Sequence, residues 1–487
     1  MRKTYETQGR LDCQSIEQLR LNLNCRDEIV PILQALKHVF GQSSLREQLC
    51  LLVAGDVNKA TRDDTGREGF DYWQILVLAI VRLGCNLNYD KLQDLCENHR
   101  ALRCLLIVGD WDESTSFSSR RIRDTLAMLH PETIASINDL IVEHAQNVHG
   151  DARRAVRADS FVVETNIHHP TESSLIWDGF RKIIPLCVRI AALVGSSGWR
   201  QSKHLKKMIK QQVREIARIS ASKSPRVTAT LPTAYGELLK RASTVLDRAQ
   251  TLQIQAQEHS SDIGVVGLCV QLDEWMTLTR QVCDTAFRRT ALGETVANSE
   301  KLFSLFEPHT QLYRRGKAGQ PNQFGRLVLV YEDAAGFISH YHLMDREASD
   351  ADVVVDQTRI AQERHRGEIQ DASFDRGFFS EENSDTLNEI IDHLCLPPKH
   401  RNQFAEFMRT ATLRIKKSRQ RHSGIESAIG ALQSGNGLER CRDRTETGLD
   451  RYLGLAILGR NMHVLGKLLI ARISETADSG KSKRMAA

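Results

Sequence analysis

The chain has 487 residues, 41% of them hydrophobic and 26% charged, with a formal net charge of +5. That balance is ordinary for a globular protein and leaves room for two to four domains of roughly 100–200 residues each; so mild a charge does not by itself select nucleic acid as a partner. Eleven cysteines without a C-x-x-C pair exclude a zinc cage, and the longest apolar stretches, Ile75–Val81 and Leu453–Leu458, fall short of the about 20 residues that span a bilayer. The opening Met1–Thr7 carries no apolar signal region, so free thiols in a reducing cytoplasm, and no membrane, are expected.

Residues 1–150 read as an all-α N-terminal domain. Ser15–Leu23, Arg26–Phe40 and Ser44–Val53 show the i, i+3, i+4 apolar rhythm of one-sided helices. Phe70–Leu83 is apolar nearly all round and predicts the central helix. Tyr89–Asn98, Arg100–Ile107 and Thr115–His130 follow. The last of these carries Arg120, Arg121 and Arg123 and is a candidate second helix of a helix-turn-helix, the element that enters the major groove; the bland reading is a bundle with a charged outer face.

Residues 151–197 begin a second pattern. Ala155–Ile167 is β-branched and aromatic and predicts a strand; Asp178–Val194 predicts a buried helix. Residues 198–300 then hold long helical segments, Arg200–Ile219, Ala234–Gln257 and Val265–Arg289, and read as an insertion. Across 301–446, strands at Phe324–Tyr331 and Gly336–Met344 flank a hairpin turn at Glu332–Ala335. Helix Ala351–Arg364, strand Glu368–Phe374, helix Glu381–Leu394, a strand and its connection at Gln403–Ile415, and helix Arg421–Ser434 continue the alternation. A last helix, Gly448–Ile473, and a frayed tail make up 447–487.

Acids stand where such elements should hold none. Asp159 lies inside an apolar strand, Asp375 closes another, and Glu426 sits on a helix. An aspartate within a strand is disfavoured and costly if buried alone; Asp375 has a rival role as a turn opener before Arg376-Gly377. Three carboxylates on strand, strand and helix suit a site for two hard divalent cations, which take oxygen ligands and clamp both oxygens of an in-line displacement at phosphorus. The element order suggests an α/β core of ribonuclease-H-like type, in which the first and fourth strands lie side by side. Glu164, five residues from Asp159, should face the other side of the strand and support the adjoining loop.

Basic residues cluster twice. Lys203, Lys206, Lys207, Lys210 and Arg214 recur at spacings of three and four in a segment with one acid, Glu215. Such a stripe suits DNA phosphates, which supply affinity without sequence reading; the alternative is a solvated helix face. Arg414, Lys416, Lys417, Arg419 and Arg421 lead to Glu426, with Arg421 and His422 one turn before it. Arg315 and Lys317 suggest a basic loop over DNA, since Gly316–Gly319 lacks the Gly-Lys-Ser/Thr ending of a phosphate loop. His168-His169 and His340-x-His342 do not read as a transition-metal site, because adjacent histidines diverge on an extended chain and the second pair lacks a third partner.

The segments DSFVVETNIHHPTESSLIWDG (159–179), GKAGQPNQFGRLVLVYEDAAGFI (316–338), DRGFFSEEN (375–383) and RHSGIESAIGAL (421–432) resemble those of bacterial insertion-sequence transposases of the DDE type, near the ISNCY group. The resemblance runs in order over roughly residues 65–470. It implies Asp159, Asp375 and Glu426 as a triad holding Mg²⁺, with Mn²⁺ as the alternative ion. It also implies cleavage of the element's ends and transfer of the 3′-hydroxyl to target DNA. Its expected partners are double-stranded terminal inverted repeats and a second or further copy of the chain, in a bacterial cytoplasm at the nucleoid. Relatives often carry arginine four residues before the glutamate and lysine seven after it; here those positions hold His422 and Gln433. A ribonuclease-H-like nuclease without strand transfer and a non-catalytic DNA-binding relic or regulator are the alternatives.

Overall fold

The computed structural model describes residues 13–60, 69–109, 112, 115–148, 150–259, 262–314 and 321–485. Most of them are helical. The strands among them are β1 (Ala155–Glu164), β2 (Gln311–Tyr313), β3 (Gln323–Asp333), β4 (Ile338–Leu343), β5 (Asp371–Ser373) and β6 (His393–Cys395). The chain divides into two compact units, one of Met1–Asn166 with Arg326–Ala487 and one of Ile167–Gly325.

The first unit joins a mixed sheet to a helical bundle. The helix Tyr72–Gly84 is buried along almost its whole length and starts at a capping box, in which Asp71 and Gln74 satisfy each other's backbone N–H groups. It packs on the long helix Glu446–Met485, which also meets Ile29–Gly41 and Pro131–Val148. The stretch Glu446–Thr476 contains an 18-residue window of mean hydropathy 1.3 and passes by length and composition for a bilayer span, yet 67% of that window is buried. Unbroken apolar runs hid it, because Gly454, Arg460, Asn461 and His463 interrupt the apolar residues; its apolar surface goes into the core of this unit.

Two glycines let these helices cross closely. A Cβ at Gly459 would lie 2.5 Å from the backbone nitrogen of Gly84 and 2.6 Å from its Cα. Backbone cannot rotate aside as a side chain can, so Gly459→Ala should destabilise the unit by about 3 kcal/mol through overpacking. Chemical denaturation checks this; an unchanged midpoint would show that the crossing can widen freely.

Within the sheet, β1 pairs in parallel with β5 and β5 with β6, while β3 and β4 form an antiparallel hairpin. The order is β3–β1–β5–β6, with β4 on β3. From Arg326 onward every residue of β3 is buried, as a central strand requires.

The second unit is built from helices Glu172–Leu193, Ser202–Ser220, Leu231–His259 and Ile263–Thr290, which pack on one another. Phe180, Ile184, Ile209, Leu238, Leu272 and Met276 share its apolar core. In this unit β2 pairs with the opening residues Gln323–Gly325 of β3.

Several predicted boundaries differ. Ser15–Leu23 contains only the 3-10 turn Ile16–Gln18, and Thr115–His130 gives the eight-residue helix Ser119–Leu126, followed by a separate one at Pro131. The expected strand in Gln403–Ile415 is the helix Arg401–Thr410, whose Phe404, Phe407 and Met408 recur at helical spacing. β6 overlaps the end of the predicted helix Glu381–Leu394, because three residues are too few to display a period. The second compact unit runs over Ile167–Gly325, and the helical segment expected at 198–300 lies within it. Helix Glu172–Leu193, assigned from sequence to the α/β core, buries its apolar face in the second unit instead.

Candidate carboxylate site

The register of β1 on β5 sets Ala155 opposite Asp371, Val156 opposite Ala372 and Arg157 opposite Ser373. Asp159 follows two residues later within β1, and Asp375 two residues after the end of β5, at the start of the 3-10 turn Arg376–Phe378. Side chains alternate faces along a strand, so Arg157, Asp159, Asp371 and Ser373 belong to one face. Helix Leu413–His422 lies on that face and is tied to it at three points. Arg414 donates to both carboxylate oxygens of Asp371 at 2.7 and 2.6 Å. His422 Nδ1 lies 3.2 Å from Ser373 Oγ, and Arg157 Nη1 donates to the Arg421 carbonyl at 2.6 Å.

The chain then turns at Ser423-Gly424 into helix Ile425–Gly435, which packs on β1 through a face of Ile425, Ala428, Ile429 and Leu432. Gly424 permits the approach: a Cβ there would meet Arg157 Nη1 at 2.2 Å. Arg157 thus anchors the start of the helix that carries Glu426, and its Nε also donates to the buried Glu332 at 2.5 Å. Glu426 is exposed in the first turn, where the positive end of the helix dipole favours a carboxylate.

Asp159 is half-buried and accepts from the Ser160 N–H at 2.7 Å. Asp375 is exposed and lies 3.9 Å from Arg419 Nη1, an atom that is buried and makes no hydrogen bond. Oxygen donors of this kind match a hard cation in chemistry. Among the described residues, however, no group of three or more His, Cys, Asp or Glu is gathered closely enough to hold a metal ion. The backbone brings two strands and a helix start together; the three carboxylates stand apart.

His422, expected from sequence as a phosphate contact, is buried. It is only 6% exposed, and burial, aided by the nearby Arg419 charge, pushes its pKa down to about 4. Its contact with Ser373 Oγ fastens the helix to β5. Glu164 pairs with Arg440 at 2.9 Å, and its backbone bonds Glu439 and Cys441, so it does brace the adjoining loop. His168 pairs with the buried Asp178 at 2.9 Å, and His169 sets its edge against Phe324. His340 is buried on Gln357, with its pKa pushed down to about 3 by burial.

The cationic candidates fall into different settings. Lys203, Lys207, Lys210 and Arg214 are exposed along one side of helix Ser202–Ser220, opposite the buried Ile209, Ile216 and Ile219; Lys206 is half-buried. Arg120 is exposed and pairs with Asp124 at 3.5 Å, while Arg121 stacks its guanidinium 4.3 Å from the Phe70 ring centroid. Arg315 and Lys317 lie outside the described residues. Sequence reasoning missed Arg157, although a second charged residue in an apolar strand, two positions before Asp159, was the available signal.

Comparison with protein-family models, with curated proteins and with solved structures finds no match to this chain.

One buried acid beside the site gives a pH signature. Asp333, the last residue of β3, accepts from the N–H groups of Ala335 and Phe337 and from Gln146 Nε2 at 2.9–3.0 Å. Burial still outweighs these bonds and pushes its carboxyl from 3.8 up to about 6. The folded state therefore holds this proton more tightly than the unfolded chain does. The contribution is complete below pH 4 and is lost as pH rises through 6, amounting to about 3 kcal/mol over that window. The difference in Tm between wild type and Asp333→Asn should shift across pH 4–7 in favour of the variant. Parallel curves would show that Asp333 does not titrate there.

Proposed function

We propose that this chain is a DDE-type transposase of an insertion sequence, with a ribonuclease-H-like core interrupted by the helical second unit. The observation that supports the reading is the parallel pairing of β1 with β5, whose last pair, Arg157 with Ser373, lies two residues before Asp159 on β1 and two residues before Asp375 in the turn that follows β5. Helix Ile425–Gly435, packed on β1, supports Glu426 as the third member. The strand order β3–β1–β5–β6 with a β3–β4 hairpin is also what such a core needs.

In this reading Asp159, Asp375 and Glu426 offer the oxygens that hold Mg²⁺, or Mn²⁺ in its place. The bound ions supply Lewis-acid charge at the attacking and leaving oxygens of phosphodiester cleavage and joining. The protein's own part is placement. Arg157 and Gly424 fix the helix start, Arg414 and His422 fix the preceding helix to β5, and Arg419 faces Asp375. The exposed stripe Lys203–Arg214 contributes charge-driven affinity for duplex DNA, and terminal inverted repeats with a second copy of the chain complete the assembly.

One observation favours a second reading, a non-catalytic DNA-binding relic or regulator: the carboxylates are not gathered into a metal-holding group among the described residues. A plasmid carrying the DNA that flanks the reading frame on both sides, incubated with the protein and Mg²⁺, separates the possibilities. Nicks at defined ends with joined products support the transposase. Nicks without joining indicate a nuclease, and salt-dependent binding without nicks the relic.

A further inference from the structure

Beside the carboxylates lies a cleft of about 490 Å³ between the hairpin turn Glu332–Gly336 and helix Leu413–His422. Its floor is the start of β1 and β5, and its cations are Arg157, Arg414, Lys417 and Arg421. These four are not equivalent. Arg157 is engaged by Glu332 and the Arg421 carbonyl, and Arg414 by both oxygens of Asp371. Each of those charges is spent on a partner that holds the fold. Lys417 and Arg421 are exposed on the last two turns of the helix, and among the described residues neither pairs with a carboxylate. An anion entering the cleft therefore meets two cations without a carboxylate partner above a floor of matched ion pairs, with the buried Asp333 carboxyl beside them held by N–H donors.

Position gives the anion an identity. Arg157 and Ser373 line the cleft; Asp159 stands two residues further along β1 on the same face, and Asp375 two residues past the end of β5. Two residues of strand advance roughly 7 Å, comparable to the step between successive phosphates of one nucleic-acid strand. We infer that this cleft seats the phosphate adjacent to the reacting one on the same DNA strand, with Lys417 and Arg421 as the two groups that grip it. The inference rests on the proposed function and adds to it a subsite and a division of labour within the basic cluster. Arg421 offers a planar fork suited to two phosphate oxygens and Lys417 a point charge, while Arg157 and Arg414 shape the floor.

Lys417→Ala and Arg421→Ala sit on the surface and leave the Arg157 bond to the Arg421 main chain in place, so the folded protein can be compared directly. The first measurement is the salt dependence of binding to a short fluorescent duplex. Each substitution should lower the slope of log K against log salt by roughly one unit. The second uses duplexes with a single neutral methylphosphonate linkage, moved step by step across the nicked position. Wild type should lose affinity when the linkage next to the nick is neutral, and the double variant should show no such loss. Wild-type slopes in the double variant, or an undiminished penalty at that linkage, overturn the cleft assignment alone. Wild-type protein without salt-dependent duplex affinity overturns both it and the transposase reading. A reduced slope in the double variant, together with nicking that survives Asp159→Asn, keeps the cleft and overturns the catalytic reading.

Discussion

Asp159→Asn should reduce Mg²⁺-dependent nicking of the flanking DNA at least roughly a thousandfold, equivalent to about 4 kcal/mol of transition-state stabilisation, while leaving duplex affinity near wild type. The amide matches the carboxylate in shape, so the half-buried position on β1 and the bond from the Ser160 N–H survive. What it removes is the negative charge that attracts a hard cation. Asp375→Asn should act alike despite its different setting, since Asp375 is exposed, faces Arg419 and begins a turn. If only Asp159→Asn abolished nicking, Asp375 would be a turn residue and its place just past the β1–β5 pairing a coincidence. Nicking that survived both substitutions would remove the carboxylates from the chemistry.

The second large effect is expected at Arg157. Its guanidinium joins three elements: β1, which carries it; β3 through Glu332; and the turn before Glu426 through the Arg421 carbonyl. Glu332 is only 3% exposed, so Arg157→Leu leaves a buried carboxylate without its main partner, at a cost of about 3 kcal/mol. Arg460 also faces Glu332, which keeps the loss toward the lower end of what such truncations give. Replacing both, as Arg157→Leu with Glu332→Leu, should recover much of the stability, because the stranded charge has gone with its partner. Arg157→Lys should fall between, since an ammonium cannot span Glu332 and the carbonyl as a planar fork does. Urea midpoints of the four proteins check this ranking. A double variant no more stable than Arg157→Leu would mean that the contact to the helix turn, not the ion pair, holds the site.

Local chemistry determined what could be read within a few turns of chain. Tyr89–Asn98 was legible to the residue, because Asn88 caps it and its apolar residues keep a helical period. The start of β1 at Ala155 and the acid within it were equally plain. Asp159, Asp375 and Glu426 stood out because each is a charge that its own element does not explain. How the fold places them relative to one another was not local. The pairing of β1 with β5 joins segments separated by the whole second unit, and three-residue strands such as β5 and β6 show no period of their own. The same holds for Arg157, whose importance comes from Glu332 and Arg421, and for helix Glu172–Leu193, whose apolar face reads alike whichever core receives it. His422 looked like an exposed cation beside Arg421 until packing buried it on Ser373. Periodicity, capping and misplaced charge act through neighbours in the chain, so sequence determines them; burial, pairing and the neutralisation of one charge by another act through neighbours in space, and only the tertiary structure decides those.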